Sequence, residues 1–186
     1  MICFDWNKDN NSCDIFNGTA VVRTHSATFP HDNGELGFYN GNPTTVSSYE
    51  KSGRKIVETL FFATGWIRLA DHPKSFDSHN LVGLENGHLF TIGGVDRQIG
   101  EFLSDIWRLK NNNWIFDGNL EKPVGFGTAL KIGNMIFCFS GDSESEWANQ
   151  RIDLDDSEII GQEIISDHEQ RYDWPILFHV HENFCV

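Results

Sequence analysis

Three stretches of this chain can be laid over one another at a spacing near 48 residues, and an internal period of that size constrains the fold before any composition is counted. The first comprises residues 25–29, Asn33-Gly34 and 35–41; the second, 79–84, Asn86-Gly87 and 88–94; the third, 127–132, Gly133-Asn134 and 135–141. Each reads as strand, tight turn, strand, glycine. An Asn-Gly pair between apolar runs signals a hairpin, because both turn residues take positive φ. Trp66 and Trp114 stand 48 residues apart, and Gly94 and Gly141 stand 47 apart. Leu60, Leu109 and Leu154 fall at matching places in third strands, at spacings of 49 and 45. A unit of roughly 40–50 residues containing a hairpin suits a four-stranded propeller blade rather than a helical solenoid.

At this level of detail the chain resembles the kelch-repeat family. The second copy carries the whole pattern: an apolar strand ending in Gly93-Gly94, then Trp107, then Trp114 after six intervening residues. The first copy has Asn40-Gly41 for the glycine pair and Thr59 ahead of Trp66. The third has Ser140-Gly141, with Ile152 and Ile159 at the two aromatic places. The resemblance covers residues 20–165 and implies an all-β fold of about three four-stranded antiparallel blades, forming a partial or fragmentary propeller. The expected division is an N-terminal extension (1–19), blades at 20–70, 71–121 and 122–166, and a C-terminal strand within 167–186. Gly41, Trp66, Gly93, Gly94, Trp107, Trp114 and Gly141 are the expected structural motif residues. Apolar runs such as residues 135–139 fit strands buried on both faces, and one blade alone cannot bury its faces. Because propellers carry about 4–8 blades, three do not close a ring. Residues 1–19 and 172–180 could supply parts of a further shared blade, with Cys185 approaching Cys3 or Cys13.

Strand order yields an expectation about function that is independent of the family. In an up-and-down sheet with strands a to d, the a–b and c–d turns share one face, and the b–c and d–a loops share the other. The predicted a–b turns are short. The long connections, 42–53, 95–103, 142–148, 70–78 and 121–126, all fall on the second face. Loops over a rigid scaffold commonly carry binding residues. The candidates are His72, Lys74, Phe76, Asp96, Arg97, Gln98, Asp142, Glu144, Glu146 and Trp147.

Composition narrows the classes. With 39% hydrophobic and 13% aromatic residues the chain is not disordered, and a net charge of −13 opposes a phosphate backbone, so nucleic acid is set aside as a partner. No apolar run approaches the ~20 residues that span a bilayer, and the start has neither the basic nor the apolar region of a signal peptide. Asp5, Asn7 and Asp9 begin like a calcium loop, but Asn10 and Phe16 stand where its glycine and glutamate belong. His179 and His181, with His168, fall short of a zinc ligand set. The Glu163/Asp167 pair resembles the iron site of kelch-type specifier proteins but has Arg171 where a histidine is required. No nucleophile elbow, P-loop or dinucleotide fingerprint is present. We therefore expect no catalytic residues, no metal and no cofactor. Cys138 reads as a buried free thiol, whereas Cys3, Cys13 and Cys185 lie near the termini beside the sequons at Asn10 and Asn17. That combination tips the compartment slightly toward the extracellular side, with the cytoplasm close behind. The expected function is non-catalytic binding of a protein partner through the loop face. The alternative is an extracellular carbohydrate- or matrix-binding module in which Trp147 stacks on sugar rings.

Overall fold

The computed structural model describes residues 2–3, 11–47, 49, 54–139 and 147–168, and every regular element among them is a β-strand. The chain opens with a three-stranded antiparallel sheet of β1 (Ile2–Cys3), β2 (Cys13–Phe16) and β3 (Val21–Arg23). A four-stranded sheet follows, made of β4 (Leu36–Tyr39), β5 (Asn42–Val46), β6 (Val57–Phe61) and β7 (Gly65–Arg68). A short β8 (Phe76–Asp77) precedes β9 (Asn80–Gly83) and β10 (Leu89–Ile92). Beyond a short β11 (Val95–Asp96), β12 (Asp105–Lys110) and β13 (Asn113–Asn119) complete the second four-stranded sheet. The third four-stranded sheet contains β14 (Thr128–Ile132), β15 (Met135–Phe139), β16 (Trp147–Asp155) and β17 (Glu158–His168). Each is an up-and-down antiparallel blade, and together they form an all-β, propeller-like array.

The blades meet along their innermost strands. β9 touches β4 on one side and β14 on the other. Glycine permits this approach: a Cβ at Gly83 would lie 2.3 Å from the Phe38 carbonyl oxygen. Apolar side chains fill the gaps between sheets. Tyr39, Val46, Val57, Phe76, Leu81, Leu89 and Leu109 pack between the first and second complete blades. Val82, Phe90, Ile92, Ile106, Ile136, Cys138 and Ile152 pack between the second and third. A smaller cluster of Cys13, Ala27, Leu60 and Trp66 ties the N-terminal sheet to the first complete blade. Burying one such large side chain contributes about 1.5–3 kcal/mol, so the gaps between sheets supply the main stabilisation of the array.

The structure corrects the sequence reading at the N-terminal sheet, in the first complete blade and in the third. Residues 2–23 do not form a simple extension: β1 to β3 repeat the register of β5 to β7, with Thr24 N bonding Cys13 O as Leu69 N bonds Val57 O (both 2.9 Å). The N-terminal sheet thus corresponds to strands b, c and d of a blade, and residues 20–23 belong to it rather than to the blade expected at 20–70.

Next, the hairpin of the first complete blade turns at Asn40-Gly41 (φ 49° and 75°), not at Asn33-Gly34. Both dipeptides suit such a turn, and Pro43 made the true second strand read as loop. A proline is accepted there because it lies near the strand's start. Gly41 is therefore a turn residue, and Ser47 takes the left-handed place of Gly93 (φ 64° and 67°). Ser47 N bonds Ile56 O as Gly93 N bonds Asp105 O. Two residues further along each strand stand Glu58 and Trp107, so Glu58, not Thr59, occupies the aromatic position.

In the third blade, Gln150 pairs with Cys138 as Trp107 pairs with Thr91, and Ile152 pairs with Ile136 as Leu109 pairs with Leu89. Ile152 and Ile159 therefore do not replace the two tryptophans. The β16–β17 hairpin is longer and carries register shifts that residue counting cannot detect. Gly141, residues 174–180 and Cys185 lie outside the described residues.

Candidate functional site: the loop face

The loops between strands b and c and between blades form a hydrogen-bonded collar on one face. Asn33, Ser78 and Phe126 occupy equivalent places ahead of the three inner strands, each with left-handed backbone (φ 54°, 54° and 55°). Phe126 N donates to Ser78 O at 2.9 Å, and Ser78 N donates to Asn33 O at 3.0 Å. The loops of the second blade are tied to the collar by pairing of β8 with β11 and by Gly94 N to Val124 O at 2.7 Å. A Cβ at Gly93 would stand 2.2 Å from Val124 O, so glycine there answers both to positive φ and to crowding.

Beneath the collar, each interblade loop rests in a socket on the following blade. In the first complete blade the socket is ionic. His31 Nε2 contacts Glu58 Oε2 at 2.9 Å with both side chains essentially fully buried, and His31 Nδ1 contacts Ser47 O at 2.9 Å. The Glu58 carboxylate also accepts Thr28 N at 3.1 Å and Phe29 N at 3.0 Å. Burial alone would raise the Glu58 carboxyl, but these bonds and the facing imidazole outweigh it and hold the group below its usual range.

The second socket is aromatic: Phe76 stands where His31 does and Trp107 where Glu58 does. His72 packs against Phe76 at 4.4 Å, Trp114 at 4.6 Å and Trp107 at 5.5 Å. The third uses Val124 with Gln150, whose side-chain amide bonds both Lys122 N (3.0 Å) and Lys122 O (2.9 Å). The outer tryptophans repeat one anchor: Trp66 Nε1 donates to His25 O at 2.8 Å and Trp114 Nε1 to Ala70 O at 3.0 Å.

Above the collar, Asp77 is wholly buried and receives two hydrogen bonds from Arg97, at 2.5 and 2.7 Å. The hydrogen bonds that Arg97 donates to the Asp77 carboxylate raise its pKa, so the guanidinium stays charged despite partial burial. Its other face lies 5.0 Å from the ring centre of Tyr49, a cation–π contact. Ile99 is 65% exposed and Tyr49 50% exposed. Phe102 and Phe126 sit edge-to-face at 6.3 Å on the neighbouring loops. Glu35, half-buried, accepts a hydrogen bond from Leu81 N, and burial pushes its carboxyl up to about 8.

The expected binding residues divide accordingly. Asp96, Arg97 and Gln98 share one loop, where Asp96 caps Gln98 N at 2.7 Å. Lys74 is half-buried and paired with Asp105 at 2.6 Å. His72 and Phe76 are interior packing residues (2% and 1% exposed) rather than surface contacts, because β8 folds them under the collar. Burial also pushes His72 down to about 3, so it is neutral. Asp142, Glu144, Glu146 and the Trp147 side chain lie outside the described residues. Sequence reading missed Tyr49, Ile99, Phe102 and Phe126. Large apolar residues inside long polar connections were the available signal.

Other chemistry is sparse. Among the described residues no group of three or more His, Cys, Asp and Glu could hold a metal ion. Cys13 is disulfide-bonded, with Cys3 opposite it in register. Cys138 is a buried free thiol, pushed by burial to about 12. On the opposite face, Leu84, Glu85, Asn86, Lys131, Asn134 and Asp156 line a cleft of about 110 Å³.

No family model and no curated protein matches the sequence. Among solved structures, one described as "Structure of YjhT" superposes with a TM-score of 0.68 at 17% identity, over 83% of this chain and 52% of that one. At that identity the likeness concerns the fold alone. The chain spans about half the length of that structure.

Proposed function

We propose that this chain is a non-catalytic, kelch-type protein-interaction module that binds its partner through the loop face. The carrying observation is Arg97, held by the buried Asp77 carboxylate and stacked on the exposed Tyr49 ring, with exposed Ile99 two residues along the same loop. Tyrosine and arginine are favoured at interface hot spots, and a guanidinium clamped on both sides loses little freedom on binding. The collar beneath it supplies the rigid base that such loops need.

The test compares the wild-type chain with a Tyr49→Ala/Ile99→Asp double variant. Both substitutions are at exposed positions and should change stability by only about 0.5 kcal/mol each. Proteins captured by the wild type are purified and titrated against both forms. The expected result is at least a roughly tenfold weaker Kd for the variant, or about 1.4 kcal/mol, with Asn86→Ala on the opposite face without effect. Equal binding by the double variant would refute the loop-face assignment. Binding to a glycan array, lost in the same variant, would favour the carbohydrate reading instead.

A further inference from the structure

The outermost strands of the three-stranded sheet and the three four-stranded sheets differ in how they treat their free edges. β3 has three residues and β7 four, too short to template another strand. β13 has seven, and its pairing with β12 is interrupted near Gly118, whose φ is 130°. β17 has eleven residues, Glu158–His168, and contains no lysine, arginine or proline, the residues that commonly guard an edge. Among the described residues nothing pairs with its outer side.

The irregularities in β17 fall at defined places. Asp153 pairs with Gly161 and Leu154 with Ile159, leaving Ile160 as an extra residue; Asn149 pairs with Ser166 and Gln150 with Ile164, leaving Ile165 as another. Bulges of this kind re-aim side chains. Here Ile160 is 68% exposed and Ile165 40% exposed, while Ile159 packs against the interior. Between the bulges, residues 161–164 keep regular register with β16. Two outward isoleucines therefore bracket a short regular edge.

We propose that this edge is a second docking surface, which receives a short extended segment of a protein partner by strand addition. Backbone groups of residues 161–164 would supply the pairing, and Ile160 and Ile165 the apolar contacts. Charge selects the occupant. The β16–β17 hairpin, residues 147–168, carries Asp153, Asp155, Asp156, Glu158, Glu163 and Asp167 against Arg151 as its one Lys or Arg. That arginine is engaged with Asp153 and Glu163. A second copy of this chain would bring carboxylates against carboxylates. The fitting segment alternates apolar and basic residues.

The probe is a blocked peptide of roughly eight residues alternating valine and lysine, long enough to span the bracketed edge. Its control alternates valine and glutamate. Backbone amide NMR should show changes concentrated in residues 158–166, with an affinity that weakens as salt rises. The Ile160→Lys/Ile165→Lys variant should bind at least tenfold more weakly. Should that variant fail to fold, Ile160→Thr/Ile165→Thr should show the same direction of loss. The proposal fails if the lysine peptide perturbs other strands, if the glutamate peptide binds equally well, or if the free chain dimerises through β17. It fails equally if hydrogen exchange shows the outward amides of 161–164 already protected in the free protein.

Discussion

At the foot of the first complete blade, a histidine and a glutamate meet in the dry interior; at the same place in the second, phenylalanine and tryptophan stand beside a neutral histidine. The backbone around them is nearly the same. Ser47 and Gly93 share a left-handed turn, Ile56 and Asp105 accept equivalent bonds, and Trp66 and Trp114 clamp equivalent loop carbonyls. Strand register and collar hydrogen bonds therefore define the frame, while the socket accepts any filling that satisfies the loop. The aromatic filling does so through volume. The ionic filling does so through hydrogen bonds to Thr28 N and Phe29 N, which would otherwise be buried without partners. The two should fail in different ways.

The largest expected effect comes from breaking the ionic socket on one side. His31→Val leaves Glu58 charged and buried without its partner and should cost about 3–5 kcal/mol in urea unfolding. The third blade pairs Val124 with Gln150, whose amide holds its loop directly. Adding Glu58→Gln to His31→Val imports that solution and should restore at least ~1 kcal/mol of the loss. Additive losses would mean that the sockets are not interchangeable.

A second comparison concerns the outer tryptophans. Trp66 is 9% exposed and Trp114 is only partly buried at the margin of its cluster. Trp66→Ala should cost about 3–5 kcal/mol, and Trp114→Ala should fall at or below the low end of that range. The reverse order would show that the second blade, not the first, depends more on its clamp.

These contrasts also mark what could be read from the residues. The all-β class, the three four-stranded blades and the single loop face follow from Asn86-Gly87, Gly93-Gly94 and the tryptophan spacing, because turn chemistry and large aromatics are local signals. Register was legible where those signals were intact, in the second blade. In the first, Ser47 does the work of a glycine and Asn33-Gly34 imitates a hairpin turn, so the copy was placed seven residues away from its true turn at Asn40-Gly41. In the third, the register shifts along β16 and β17 separated residue count from position. The face proposed for binding was legible as loops but not as side chains. His72 and Phe76 look like surface candidates until β8 pairs with β11 and folds them inward. Tyr49 and Arg97 meet only because two separate loops converge, with Arg97 held by Asp77.

The most direct test of one frame with two chemistries is unfolding free energy measured from pH 7 to pH 3. The wild type is compared with Glu58→Gln, with Phe76→Leu as the aromatic-socket control. The folded state holds the Glu58 carboxyl below the ordinary value of 4.5, so its contribution is present above that value and is lost as pH falls through the lower, folded one. The gap between wild type and Glu58→Gln should therefore be full at neutral pH and close on acidification, while the offset of Phe76→Leu stays constant as long as the pH is well above the His72 value of about 3. A Glu58→Gln gap that does not change with pH would contradict the account, as would two offsets that move together.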